Sequence, residues 1–173
     1  MSGPSVRQLS VMLDGVQRLH AAGSLDDLRA EMMGLVDALI ATEHIAYNEI
    51  DLELEQVYTR FNTVELADAY TVYEETFARL MRQHPILQFT IDNPRAVAQR
   101  LSDFLGQSAL RDLGLYQEVY KNVSTNFQTI IDLGEPGRYV SALAVNRDQS
   151  DFDDTELALL RLLQPHLRQA FAA

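Results

Sequence analysis

The stretch Arg138 to Ala173, RYVSALAVNRDQSDFDDTELALLRLLQPHLRQAFAA, constrains the fold more than any other. From Tyr139 to Val145 nearly every residue is apolar or small, and Val140 and Val145 are β-branched, which predicts an extended strand. A strand apolar on both faces needs cover on both, so it belongs in the middle of a sheet. Asn146 to Asp151 is too polar to bury and rich in turn formers. Asp153 and Glu156 have the spacing of a capping box, which starts a helix near Asp154. Leu157, Leu160, Leu163, Leu167 and Phe171 recur at helical spacing, and Leu159 and Leu162 widen the stripe. Pro165 inside that run lacks a backbone donor, so a kink or a fresh helix start is expected there. Arg147 is expected to pair with Asp151 or Asp153 and fix the turn.

Earlier in the chain, Val6, Leu9, Leu13, Val16 and His20 alternate steps of three and four, the spacing of a two-heptad seam. Such a helix lies on its own sheet or joins a second copy; two heptads alone are too short to hold a coiled coil. Gly23 ends it, and Ser24 opens the next helix, whose stripe is Leu25, Leu28, Met32, Leu35 and Leu39. Residues 1–41 are thus a helical pair, contributing to a helical layer and to a dimer. HIAYNEIDL (His44–Leu52) and QVYTRFN (Gln56–Asn62) read as a hairpin through Glu53-Leu54-Glu55. Asn62 and Glu65 have the spacing of a second capping box, before a helix striped by Leu66, Tyr70, Tyr73, Phe77 and Leu80. His84-Pro85 ends it.

Ile86 to Ile91 is expected as a strand, and Arg95 to Gly106 as a helical turn or short strand ending at Ser102-Asp103. Leu110 to Lys121 reads as a helix and STNFQTIIDL (Ser124–Leu133) as an alternating strand. Gly134-Glu135-Pro136-Gly137 is the last hairpin turn. The four histidines show neither i, i+4 pairing nor HExxH, so no metal site is expected. There is no Gly-rich phosphate loop and no GxSxG elbow, and no enzyme activity or cofactor is expected. With 14 basic against 25 acidic residues, the chain opposes direct contact with nucleic acid. No apolar run approaches a membrane span, and the absence of cysteine is compatible with a cytoplasmic protein.

LAVNRDQSDFDDTELALLRLLQPHLRQAF resembles the end of the GAF-like sensor domain that precedes LuxR-type helix-turn-helix DNA-binding domains in bacterial transcription regulators. The shared pattern is a small-residue strand ending in Asn-Arg, then Asp-Phe, then a Leu-rich helix carrying Pro-His-Leu. His84-Pro85, Ser102-Asp103-Phe104 and Leu115-Tyr116 fit the same spacing, so the likeness spans roughly Ala41 to Ala173. It implies a ligand-sensing domain in a DNA-binding regulator, whose DNA-binding module would begin about where this chain stops. The lack of cysteine excludes two chemistries that some GAF domains support, thioether attachment of a bilin and thiol-based sulfoxide reduction.

The order of elements gives an α/β (α+β) fold of GAF or PAS type. It has a central antiparallel sheet of five or six strands, the N- and C-terminal helices on one face and a helical crossover on the other, with residues 42–173 as the sensor core. The expected function is a non-catalytic, small-molecule-sensing and dimerising domain. Its ligand would lie between sheet and crossover, against Tyr47, Tyr58 and Phe127 of the strands, Tyr73, Phe77, His84 and Phe89 of the first crossover segment, and Asp103, Phe104, Tyr116 and Tyr120 of the second. The alternative for His84 and Asp103 is local: a core imidazole satisfied by its neighbours, and a turn or cap carboxylate. For the domain as a whole the alternative is a pure dimerisation scaffold with a filled core. Its homodimer seam would join Leu9, Leu13 and Val16 to Leu160, Leu163, Leu167 and Phe171 across a twofold axis.

Overall fold

The computed structural model describes residues 3–135 and 137–173. Two helices open the chain, α1 (Val6–Ala21) and α2 (Leu25–Leu39). Ser5 and Gln8 form a reciprocal capping box at the start of α1, and the Ser24 hydroxyl accepts from the Asp27 amide at the start of α2. The hairpin follows as expected, β1 (His44–Asp51) and β2 (Gln56–Phe61). The crossover then runs through short helices α3 (Val64–Tyr70), α4 (Glu74–Leu80) and α5 (Pro85–Asp92), the two-residue strand β3 (Gln99–Arg100), and α6 (Gln107–Asp112) and α7 (Gly114–Glu118). Strands β4 (Phe127–Asp132) and β5 (Tyr139–Arg147) return to the sheet, and α8 (Asp154–Ala172) closes the chain.

The sheet is antiparallel throughout, in the order β2-β1-β5-β4-β3. Strand β5 is therefore central, as its two-sided apolar sequence requires. One face carries α1, α2 and α8, packed as a single apolar cluster with Ile45, Tyr47, Ile131, Leu143 and Val145 of the strands. Gly15 lets α1 lie directly on α2, since a Cβ there would collide with the Leu35 side chain. The other face carries the crossover, with its own cluster built from Ile50, Tyr70, Phe77, Leu80, Met81 and Tyr120.

Local expectations fail in three places. Ile86–Ile91 is not a strand but lies within α5, because Pro85 takes the first helical position and the His84 imidazole caps the turn by accepting from the Ile86 amide. Asn62 does not cap α3: its side chain accepts from the Ile45 amide, and Thr63 takes the cap. The expected helices after Asn62 and after Leu110 are each broken into short α and 3₁₀ turns, which lets the crossover curve over the sheet. No fresh helix starts at Pro165: α8 runs through it as one helix, with Pro165 on the exposed side. The last hairpin turn includes Pro136, which lies outside the described residues.

The turn between β5 and α8 is tied by Arg147, though not by the expected side chains. Its guanidinium forks onto Glu156 at 2.6 and 3.0 Å, and reaches the carbonyls of Ala41 at 2.7 Å and Asp151 at 3.1 Å. It also lies over the Phe152 ring at 4.3 Å. Asp153 is engaged instead in the capping box with Glu156.

Candidate functional site: a cavity between sheet and crossover

The site follows from strand alternation. On β1, Ile45 and Tyr47 point to the helical layer, which leaves His44, Ala46, Asn48 and Ile50 facing the crossover. On β5 the same rule sends Leu143 and Val145 to the helices and Val140, Ala142, Ala144 and Asn146 to the crossover. The antiparallel register sets these residues in rows across the sheet. His44, Asn146 and Gln128 form one row, Phe61, Ala46, Ala144 and Ile130 the next, and Thr59, Asn48 and Ala142 the third. The middle of the floor is thus alanine, and a roof of Phe77, Met81, Ile86, Leu87 and Val123 spans it without filling it. The result is a cavity of about 720 Å³ of atom-free space, open solvent at its mouth included.

A polar chain closes one end. The Ile86 amide donates to His84 Nδ1 at 3.2 Å, which leaves the proton on Nε2; that nitrogen donates to Gln128 Oε1 at 2.6 Å. Gln128 Nε2 donates to Asn146 Oδ1 at 2.7 Å, and Asn146 Nδ2 to the Ala144 carbonyl at 3.1 Å. The Tyr120 ring stands at the same end, edge-on to His84 at 6.2 Å between centroids. His44, in the same row, has Nε2 3.4 Å from the Thr125 hydroxyl. At the other end Thr59 donates to Asn48 Oδ1 at 2.8 Å.

Burial keeps these groups neutral. It brings the His44 imidazole down to about 4 and lowers that of His84, and it raises the phenols of Tyr70 and Tyr120. Among the described residues, no Asp, Glu, Lys or Arg lines the cavity. No group of three or more His, Cys, Asp or Glu among them could hold a metal ion.

Of the eleven residues expected around a ligand, the cavity gathers Phe77, His84 and Tyr120. Both ring nitrogens of His84 are engaged within the protein, so it meets the cavity as a fixed ring rather than as a free donor. Tyr47 and Phe127 face the helical layer instead; the Tyr47 hydroxyl donates to Glu49 at 2.8 Å. Tyr58 is on the same side, exposed, with the Arg29 guanidinium lying over both it and Tyr47. Tyr73 packs on the outer side of the crossover cluster. Phe89 and Phe104 pair edge to face at 5.2 Å, and Tyr116 donates to Asn126 at 2.7 Å, none of the three lining the cavity. Asp103 forms an ion pair with Arg100 at 3.2 Å.

The residues not foreseen include Tyr70, one position from the start of a 3₁₀ turn, the inward-facing His44, Asn48, Thr59, Thr125, Gln128 and Asn146, and the alanine floor. Period-two alternation along HIAYNEI and FQTIID carries the signal for most of them.

The expected seam residues also divide. Leu160, Leu163 and Leu167 are fully buried in the chain's own core, so they cannot meet a second copy. Phe171 packs on the same cluster, 6.2 Å from the Tyr47 ring, and Val16 is half-buried against it. Leu9 and Leu13, with Val6 beside them, face outward.

No protein-family model matches the sequence, and no curated protein matches it. Solved structures do share the fold. An N-acylhomoserine lactone dependent LuxR family transcription factor, CepR2 from Burkholderia cenocepacia, superposes with a TM-score of 0.67 at 16% identity, over 98% of this chain and 95% of that one. The VqsR LBD domain from Pseudomonas aeruginosa gives 0.65 at 15% identity, over 96% and 93%. A GAF domain from an Acinetobacter phosphoenolpyruvate-protein phosphotransferase gives 0.59 at 14%, over 98% and 95%. The fold is therefore the one that GAF domains and LuxR-family ligand-binding domains share.

Proposed function

We propose that this chain is a small-molecule-sensing domain of a LuxR-type transcription regulator, binding its ligand in the cavity between sheet and crossover without catalysing a reaction. The observation that carries the reading is the contrast between the two sheet faces. The helical face is packed solid, with Leu160, Leu163 and Val145 at 0% exposure, whereas the crossover face holds a cavity floored by alanine and edged by polar groups. Such a mostly apolar concavity with a few oriented polar groups suits recognition of a small organic molecule. It also argues against the filled-scaffold alternative. The LuxR-family neighbours support the regulator context. DNA would then be reached through a separate module, given the net charge of −11.

The same reading includes a homodimer in the cytoplasm. Its support is the outward stripe of α1, where Val6 is 85% and Leu13 67% exposed; among the described residues no helix is long and apolar enough to cross a membrane.

A thermal-shift screen of neutral metabolites tests the sensing role. A specific ligand at a hundredfold excess over its Kd stabilises by about 2.7 kcal/mol, roughly a 5–10 °C rise for a domain of this size. That rise should shrink in Gln128→Leu. A full screen in which no compound raises Tm would overturn the reading.

A further inference from the structure

Resting on that reading, the cavity's shape and lining specify its ligand further. The floor is the small-residue patch Ala46, Ala142 and Ala144. Beside and above it runs a connected series of rings: Phe61 to Tyr70 at 4.9 Å, Tyr70 to Phe77 at 6.3 Å, and Phe77 to Tyr120, stacked, at 6.4 Å. Methyl groups on one side and aromatic faces and edges on the other make a slot, which suits a flat π-system better than a coiled alkyl chain.

The slot has a polar end at each side. The row of His44 and the row of Asn48 are four residues apart along β1, about 13 Å at the usual strand rise. A hydrogen bond at each end occupies about 3 Å of that, leaving roughly 7 Å, the length of two fused six-membered rings. Near one end stand Tyr120 and Thr125, and at the other Thr59 and Asn48. Nothing in the lining offers a counter-charge, so a carboxylate, phosphate or ammonium would be buried unpaired. We propose that this cavity takes an uncharged, flat, fused-ring molecule about two rings long, with a hydrogen-bonding group at each end.

Three probes separate the terms of that statement: naphthalene-2,6-diol, 6-hydroxy-2-naphthoate, which puts an anion at one end, and decane-1,10-diol, which keeps the carbon count and both hydroxyls but not the ring. Titration of the full chain, followed by naphthol fluorescence with the alkane diol as competitor, should find the naphthalene diol binding at least tenfold more tightly than either of the others. Ala142→Leu, which fills the floor, should abolish binding, and Tyr120→Phe should weaken it at least threefold with far-UV circular dichroism unchanged. If the leucine variant fails to fold, the phenylalanine variant carries the test. Equal affinity for the anion, or tighter binding of the alkane diol, would overturn the ligand class. So would silence from all three probes when the neutral-metabolite screen yields other ligands, and in that case the sensing role would stand. Silence in both experiments would bring down the two readings together.

Discussion

Acidification should loosen this fold well above the pH at which its carboxylates titrate. His44 is 6% exposed and its imidazole is brought down to about 4 by loss of water. In the unfolded chain it would return to about 6.5. Between those values the unfolded state binds more protons than the folded one, so stability rises with pH through the window and falls as pH is lowered through it. Integrated from pH 7 down to pH 5, this one group removes about 2 kcal/mol, and about 3 kcal/mol once pH reaches 4. His84, buried and lowered in the same direction, adds a loss of the same sign. Asp51 is held at about 2 by Arg138, so its contribution is present above about 4 and lost only as pH falls towards 2. Asp132, raised by burial, works with the opposite sign, because protonation relieves it in the folded state. Urea unfolding at pH 5, 6 and 7 should therefore show a decline of at least 2 kcal/mol in the parent chain. His44→Gln should flatten it by about that amount, leaving the part due to His84. A parent chain equally stable at pH 5 and 7, or a variant with an unchanged slope, would show that His44 is not held neutral by burial.

Other substitutions probe the frame. Arg147→Lys keeps the charge but loses the fork onto Glu156 and the contacts to Ala41 and Asp151, and should cost about 2–4 kcal/mol in urea unfolding. Leu160→Ala, at a fully buried position, should cost about 2–5 kcal/mol by the same measure. Pro165→Ala restores a donor on the exposed side of α8 and should raise stability by about 1–2 kcal/mol; a loss would mean that the fixed backbone angle at Pro165 contributes to packing. Leu13→Glu should leave stability within about 0.5 kcal/mol while shifting sedimentation from dimer to monomer; a dimer that persists would place the self-association surface elsewhere than α1.

The parts of the fold that the residues made legible are those where one strong local signal met no competitor. The Asp153–Glu156 box, the Leu157-to-Phe171 stripe and the acidic hairpin turn all formed where expected. The failures share a different cause: a local motif lost its groups to a tertiary partner. Asn62 had the right spacing to cap a helix, but its side chain was taken by the Ile45 amide across the hairpin. Ile86–Ile91 was apolar enough for a strand, but α5 must roof the sheet rather than join it, and Pro85 with the His84 imidazole settles its start. Leucine spacing on α8 fitted a seam and an internal layer equally well. Only the presence of α1 and α2 on the same face decides that Leu160, Leu163 and Leu167 are internal.

The site was harder to read because large aromatic residues are a poor guide to it: Tyr47 and Phe127 lie on the opposite sheet face, and Tyr73, Phe89, Phe104 and Tyr116 pack elsewhere in the crossover. A cavity is made by what is small, and the aromatic residues of a sheet are most numerous where packing is complete. Along β5 the sequence Val140-Ser141-Ala142-Leu143-Ala144-Val145-Asn146 places Leu143 and Val145 on one side, and Ala142, Ala144 and Asn146 on the other. Along β1 the same split separates Ile45 and Tyr47 from His44, Ala46 and Asn48. Two neighbouring strands with their alanines in register, Ala46 opposite Ala144, must leave space above them unless the opposite layer sends in bulk. Here the crossover borders that patch with a connected series of rings, Tyr70, Phe77, Tyr120 and His84, rather than sending one into it. Ala144→Leu is the direct check on this reasoning. If the gap is real, leucine gains burial with little strain and the domain holds or gains up to about 1 kcal/mol; if the floor is already covered, overpacking costs about 1–3 kcal/mol.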